Sequence, residues 1–176
     1  YQATRSFYNW MFFVTEMKSD NATTFDSGTS SGLYYTFVSH QVTSNNTIVA
    51  NIWNGLYNTI YKANLVLKHI DKVKMSDESR ERIIAEAKFL RGLSHFYLVR
   101  LYGPVPVVDK VVETITEANA MTRQPISDAY TLIISDLEAL ANSTVVPAFY
   151  DANNANFGRA TSTAGAALLG RVYLHM

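Results

Sequence analysis

The stretch Glu86–Pro106 reads EAKFLRGLSHFYLVRLYGPVP, and its reading decides the fold. It is the carboxyl part of one long helical pattern. Ile83, Ala87, Leu90, Ser94, Tyr97 and Leu101 recur at spacings of three and four, which makes one largely apolar helix face. The pattern starts at Ser76, whose hydroxyl can cap the first free amides, and Asp77 and Glu78 place negative charge at the positive end of the helix dipole. Glu78 faces Arg82 one turn on, and Arg91 and Arg100 lie toward the carboxyl end. Gly103 supplies a left-handed cap and Pro104 forbids continuation. Pro104 and Pro106 hold 103–108 extended. A helix over 76–102 is the expectation.

Working outward, four more helices are expected. Phe7, Trp10, Met11, Val14 and Met17 give one over residues 1–18. Trp53, Tyr57, Ile60, Asn64 and Leu67, beside a second row of Ile52, Leu56 and Leu65, give one over 48–72, capped by Asn45, Asn46 or Thr47. Such a helix is about 37 Å long. Ala129, Leu132, Ile133, Asp136, Leu137 and Leu140 give a helix over 127–140. The last runs from 161 to the end, with Ala166, Leu169, Val172 and Tyr173 inward. Residues 18–46 and 143–160 are polar loops, the first interrupted by Leu33-Tyr34-Tyr35-Thr36-Phe37-Val38, which reads extended. Two frames, Leu90…Leu93-Ser94…Tyr97 and Ala166…Leu169-Gly170…Tyr173, fit the small-residue and aromatic spacing of tetratricopeptide (TPR) helix pairs; any antiparallel pair of helices also tends to such spacings. The fold class is therefore all-α: about five antiparallel, TPR-like helices with one long loop insertion, forming one domain over 1–176.

Composition narrows the function classes. Fifteen basic and fifteen acidic residues cancel, so nothing marks a nucleic-acid footprint. There is no cysteine, which excludes disulfides and thiol catalysis. No apolar run approaches the roughly 20 residues of a membrane span. The chain starts at Tyr1 without a charged-then-apolar leader and stops at Met176 inside a helical pattern, so both ends read as cuts in a longer chain.

The stretch 86–106 resembles the SusD/RagB signature, a helix reading EA-x-FLRA…FYLV-x-LYG followed by a short extended VP segment. Three further stretches agree in order. Trp53…Leu56-Tyr57…Ile60…Ala63-Asn64 is similar to the family's W..LY..I..AN helix, Tyr130…Ile133-Ile134-Ser135-Asp136-Leu137-Glu138 to its Y..II.DLE helix, and Gly158-Arg159-Ala160-Thr161…Leu168-Leu169-Gly170-Arg171-Val172-Tyr173-Leu174 to its R.T..AA.ALLARVYL helix. Lys18-Ser19-Asp20-Asn21 resembles the polar turn after the first family helix. The resemblance implies the amino-terminal part of a non-catalytic outer-membrane protein. Such a protein captures oligosaccharides, or peptides in some relatives, and serves a SusC-like TonB-dependent transporter. It also implies a lipid anchor on an amino-terminal cysteine that is absent here, and a surface-exposed outer-membrane location.

The search for catalytic chemistry is mostly negative. Gly28-Thr29-Ser30-Ser31-Gly32 matches G-x-S-x-G, but a nucleophile elbow needs a buried strand before it and a helix after it, and a polar stretch precedes. His40, His69, His95 and His175 lack metal-ligand spacing; no catalytic residue, metal or cofactor is expected. His95 reads as a satisfied packing residue, Arg91 as a fixer of helix contacts, and Trp53, Phe89, Phe96 and Tyr97 as core. No evident carboxylate pair suits a glycoside hydrolase. Binding character concentrates in 20–46. Sugar rings present C–H faces to aromatic side chains, while carboxylates and amides take their hydroxyls. Tyr34, Tyr35 and Phe37 are the candidate platform, and Asp20, Asp26, His40 and Asn45 the candidate hydrogen-bonding groups. The competing reading is a small strand or loop folded over the helices. A helical adaptor that binds only protein is the other alternative for the whole chain.

Overall fold

The computed structural model describes residues 5–23 and 32–176, with side chains described from Trp10 onward. Asp26, Ser30 and Phe7 lie outside these described side chains. Among the described residues there are seven α-helices and no strand: α1 Arg5–Thr15, α2 Gly32–Val38, α3 Thr47–His69, α4 Asp77–Tyr102, α5 Ile115–Ala120, α6 Ile126–Ala141 and α7 Ser162–Tyr173. The all-α, antiparallel reading holds, and two short helices, α2 and α5, add to the five expected. The chain divides into two compact units, Tyr1–Asn58 and Thr59–Met176.

In the first unit α1 packs with α2. Leu33–Val38, expected to be extended, is helical. Its apolar residues Leu33, Tyr34, Phe37 and Val38 stand at helical spacing, and Phe13 of α1 receives them: its ring stacks on Tyr34 at 4.7 Å and lies 6.3 Å from Phe37. Asn46 is the cap of α3, its Oδ1 accepting from the Ile48 amide at 2.8 Å. The same side chain donates to the Leu33 carbonyl and to Thr36 Oγ1, so one buried amide ties α2 to the start of α3. α3 begins in this unit, where Ile48, Ile52 and Leu56 are buried, and continues into the second, where Ile60 and Ala63 are. Trp53 and Tyr57, expected in the leading row, are half-buried and pack ring to ring at 4.8 Å.

The second unit is built on α4. Ser76 caps it, accepting from the Ser79 amide, and Gly103 closes it at φ 70. α6 runs antiparallel to α4. Ala85 shares a core with Leu140, Gly92 faces Ile133 and Leu137, and Arg123 donates back to the carbonyls of Tyr102 and Pro104. α7 then runs antiparallel to α6, with Gly165 against Leu140 and Ala141 and Tyr130 Oη donating to the His175 carbonyl. The inward face of α7 is centred on Gly165 and Val172; Ala166 and Tyr173, expected inward, are exposed. The cause is Gly165, which lets the two helices approach backbone to backbone. The loop before α7 closes on itself through Ser162 N–H to Pro147 O at 3.1 Å, and Arg159 pins it to Glu86 of α4.

The helical glycines give a graded test. A Cβ at position 165 would sit 2.9 Å from the Ala141 nitrogen, which is backbone and cannot yield cheaply; at position 92 it would meet the Asp136 Cβ at 3.2 Å; at position 170 nothing lies within 4 Å. Gly165→Ala is expected to destabilise by about 2–3 kcal/mol and Gly92→Ala by about 1 kcal/mol, through overpacking. Gly170→Ala is expected to stabilise by roughly 0.5–1 kcal/mol through helix propensity. Denaturant midpoints rank the three, and a stabilised Gly165→Ala would contradict the packing of α7.

Candidate functional site

The expected binding residues separate into two groups. Tyr34 and Tyr35 are neighbours on α2. Tyr34 spends one ring face on Phe13, while Tyr35 keeps 45% of its surface exposed. Phe37, expected in the platform, is 1% exposed and belongs to the core of this unit: two residues beyond Tyr35 on a helix, it points away from it. Asp20, on the turn after α1, and His40 and Asn45, in the α2–α3 connection, are all exposed. Asn46, one residue on from Asn45, carries the cap instead.

His40 stands out in its backbone. It is the one non-glycine residue with positive φ among the described residues, at 56°. The Gln41 amide donates to Thr36 O at 2.9 Å and the His40 amide to Phe37 O at 3.3 Å. This is a Schellman closure of α2, with histidine where glycine is usual. A side chain there costs about 1–2 kcal/mol. Strain of this kind is retained where surrounding structure enforces it, and functional sites are one such place.

The second unit holds a buried polar hub that the sequence only hinted at. Arg91 donates Nε and Nη2 to both oxygens of Asp136, at 2.7 and 2.8 Å, and Nη1 to Asn64 Oδ1 at 2.7 Å and to the Asp109 carbonyl. Asn64 Nδ2 donates to the carbonyls of Val108 at 3.1 Å and Lys110 at 2.9 Å. His95 Nε2 accepts from the Val108 amide at 3.2 Å, so its proton sits on Nδ1, 3.0 Å from the Arg91 carbonyl. Three elements and the extended segment 104–110 thus meet at one guanidinium. Arg91 and His95 lie one turn apart on α4, and Asn64 closes the AN stretch of α3. Residue type pointed to Arg91 as a fixer of helix contacts and to His95 as a satisfied packing residue, but not to Asn64 and the Asp109 carbonyl as their neighbours in the hub.

Burial sets the protonation states. It holds His95 neutral, lowering its pKa from 6.5 to about 4, aided by the Arg91 charge and opposed by the hydrogen bond to the Arg91 carbonyl. Burial pushes Asp136 above the ordinary carboxylate value, against the pull of Arg91. At the surface, the Lys68 ammonium on Glu113 draws that carboxyl below its usual value. No group of three or more His, Cys, Asp or Glu side chains suited to a metal ion exists among the described residues. No helix there is long and apolar enough to cross a membrane.

Residues 3–174 match the family model described as starch-binding associating with outer membrane. The chain belongs to the SusD-like family. It is 27% identical, over 98% of its length, to a SusD-like protein of Bacteroides ovatus, of which it spans 31%. Its fold superposes on a laminarin-binding SusD-like protein with a TM-score of 0.81 at 26% identity, covering 99% of this chain and 39% of the other. It superposes on a protein crystallised with xylogluco-oligosaccharide with a TM-score of 0.74 at 26% identity, covering 98% and 32%. The SusD-like chain described here thus spans about a third of the length of such relatives.

Proposed function

We propose that this chain is the amino-terminal helical part of a SusD-like protein that captures glycans without catalysis at the outer membrane. In this reading the whole protein is a surface-exposed lipoprotein that hands its ligand to a SusC-like TonB-dependent transporter. Membership of the SusD-like family, with similarity to a laminarin-binding protein and to one crystallised with xylogluco-oligosaccharide, supports it. The observation that carries it in this chain is α2, which offers Tyr35 to solvent beside Tyr34, with Asp20, His40 and Asn45 exposed in the same unit. An exposed tyrosine offers a sugar an apolar face and a polar tip, and the strained His40 fits a side chain kept for its use.

The test is affinity electrophoresis and calorimetry with laminarin and xyloglucan, on this chain and on the full-length parent. Tyr35→Ala is expected to weaken binding about fivefold to tenfold. His40→Gly is expected to weaken it too while stabilising the fold by about 1 kcal/mol. That opposition separates a binding role from a structural one. Glycan hydrolysis by the parent, or its failure to bind any saccharide or peptide, would overturn the reading. Binding of peptides alone would move the ligand class, and binding only of a protein partner would favour the adaptor alternative.

A further inference from the structure

The loop that follows α4 folds over an open pocket of about 360 Å³ in the second unit. We infer that this pocket is a second glycan subsite, shaped for a neutral pyranoside unit. The inference rests on the glycan reading of the protein but concerns a different unit and different residues.

Three features carry it. The first is rigidity. One wall is the extended segment 106–110, whose backbone is held from behind by buried side chains: His95 takes the Val108 amide, Asn64 the Val108 and Lys110 carbonyls, and Arg91 the Asp109 carbonyl. Across the pocket, the Gln124 amide donates to Val105 O at 3.1 Å, closing the loop. Glu117 is fixed as well, one carboxylate oxygen accepting from the Glu113 amide at 3.1 Å and the other 3.6 Å from Lys110 Nζ. A wall already ordered adds little ordering cost on binding.

The second feature is the chemistry of the lining. Asp109 and Glu117 accept, Lys110 donates, and the Gln124 side-chain carboxamide does both. Val107 and Met121 add an apolar patch. A sugar ring matches that mixture, with hydroxyls that donate and accept around a C–H face. The Val108 amide and the carbonyls of 108–110 are spent inward on the hub, so recognition rests mainly on these side chains.

The third is exclusion. Two carboxylates against one ammonium disfavour an anion, and no residue lining the pocket is aromatic, so a flat aromatic ligand has nothing to stack on. The volume sits at the small end of ligand pockets, where one or two sugar rings fit.

The experiment is an amide chemical-shift titration of the 176-residue chain with a laminarin oligosaccharide, a xyloglucan oligosaccharide and, as a control, a neutral tripeptide. The expected result is saturable shifts at 107–110 and 121–124 with at least one saccharide and none with the tripeptide. Glu117→Gln and Met121→Ala should each weaken that site about fivefold or more, leaving thermal unfolding and the response of 32–46 in place. Shifts at 32–46 alone would overturn this inference and leave the proposed function standing. Shifts at 107–124 alone would support the inference and move the main site away from α2. Shifts with the tripeptide only, or at neither segment, would overturn it. So would undiminished saccharide affinity in both variants.

Discussion

Arg91→Ala is expected to lower the stability of the chain by about 3–5 kcal/mol. Arg91 is 7% exposed and Asp136 1%, so removing the guanidinium strands a carboxylate that water cannot reach. It also strips the donor from Asn64 Oδ1 and from the Asp109 carbonyl. At roughly 2–4 °C per kcal/mol for a chain of this size, the melting temperature should fall by about 6–20 °C. Two further variants separate the contributions. Arg91→Lys keeps the charge, but one ammonium cannot serve both oxygens of Asp136 and two other acceptors in a plane, so it should recover only part of the loss. The pair Arg91→Met with Asp136→Leu removes both charges. Buried ion pairs are often replaceable by apolar residues at little cost. Here the replacement leaves Asn64 Oδ1 and the Asp109 carbonyl without their donor, at about 1–3 kcal/mol each for a buried group. Calorimetric or denaturant unfolding should therefore rank Arg91→Ala lowest and the other two between it and the native chain. A loss under about 1 kcal/mol for Arg91→Ala would mean that the hub does not hold the fold.

The hub also explains what could and could not be read from the sequence. The long helix 76–102 was legible because its signals are local: a serine cap, acidic first turn, glycine stop and proline beyond. The face of 127–140 was legible because Ala129, Ile133, Asp136, Leu137 and Leu140 stand at helical spacing, and all five are buried. α2 was not. Its seven residues include Tyr, Tyr, Thr, Phe and Val, all comfortable in strands, and two turns are too few for periodicity to outvote composition. Tertiary bonds decide it: Phe13 stacks on Tyr34, and Asn46 ties down Leu33 and Thr36. The inward face of α7 was misread in part, for a related reason: Val172 is buried as expected, but the approach at Gly165, which turns Ala166 and Tyr173 outward, depends on a residue with no side chain to show in a pattern. For the candidate site, residue type pointed to Tyr34 and Tyr35, and exposure keeps Tyr35 at the surface. Phe37 is of the same type and is buried, because helical geometry rather than chemistry sorts neighbours two apart.

Acid should weaken the second unit through one side chain. His95 is fully buried, and Val108 N–H occupies its Nε2, so a proton can be added only by breaking that bond. The unfolded chain binds a proton at His95 as pH falls through about 6.5, whereas the folded chain holds the ring neutral until about 4. Its contribution is therefore complete above 6.5 and is lost as pH falls to about 4. At about 1.36 kcal/mol per pH unit, that window amounts to about 3 kcal/mol. Glu113, whose folded carboxyl is held low by Lys68, acts in the same direction from the surface. Asp136 acts against both, because burial raises its folded pKa and the folded chain takes that proton first. The charged groups bearing on the imidazole are Arg91 and Asp109, and they pull in opposite directions. His95→Gln isolates the histidine. It should be less stable at pH 7, since it cannot reproduce both ring contacts, yet its stability should fall less steeply between pH 6.5 and 4, so the two curves converge in acid. Protonation of His95 frees the Val108 amide and sets a cation beside Arg91, so the segment 104–110 should loosen first. Amide exchange at Val108 should accelerate ahead of global unfolding as pH approaches 4, once corrected for the intrinsic pH dependence of exchange. Parallel stability curves for the native chain and His95→Gln, or a ring proton that titrates above 6, would contradict a neutral His95 bonded at both ring nitrogens.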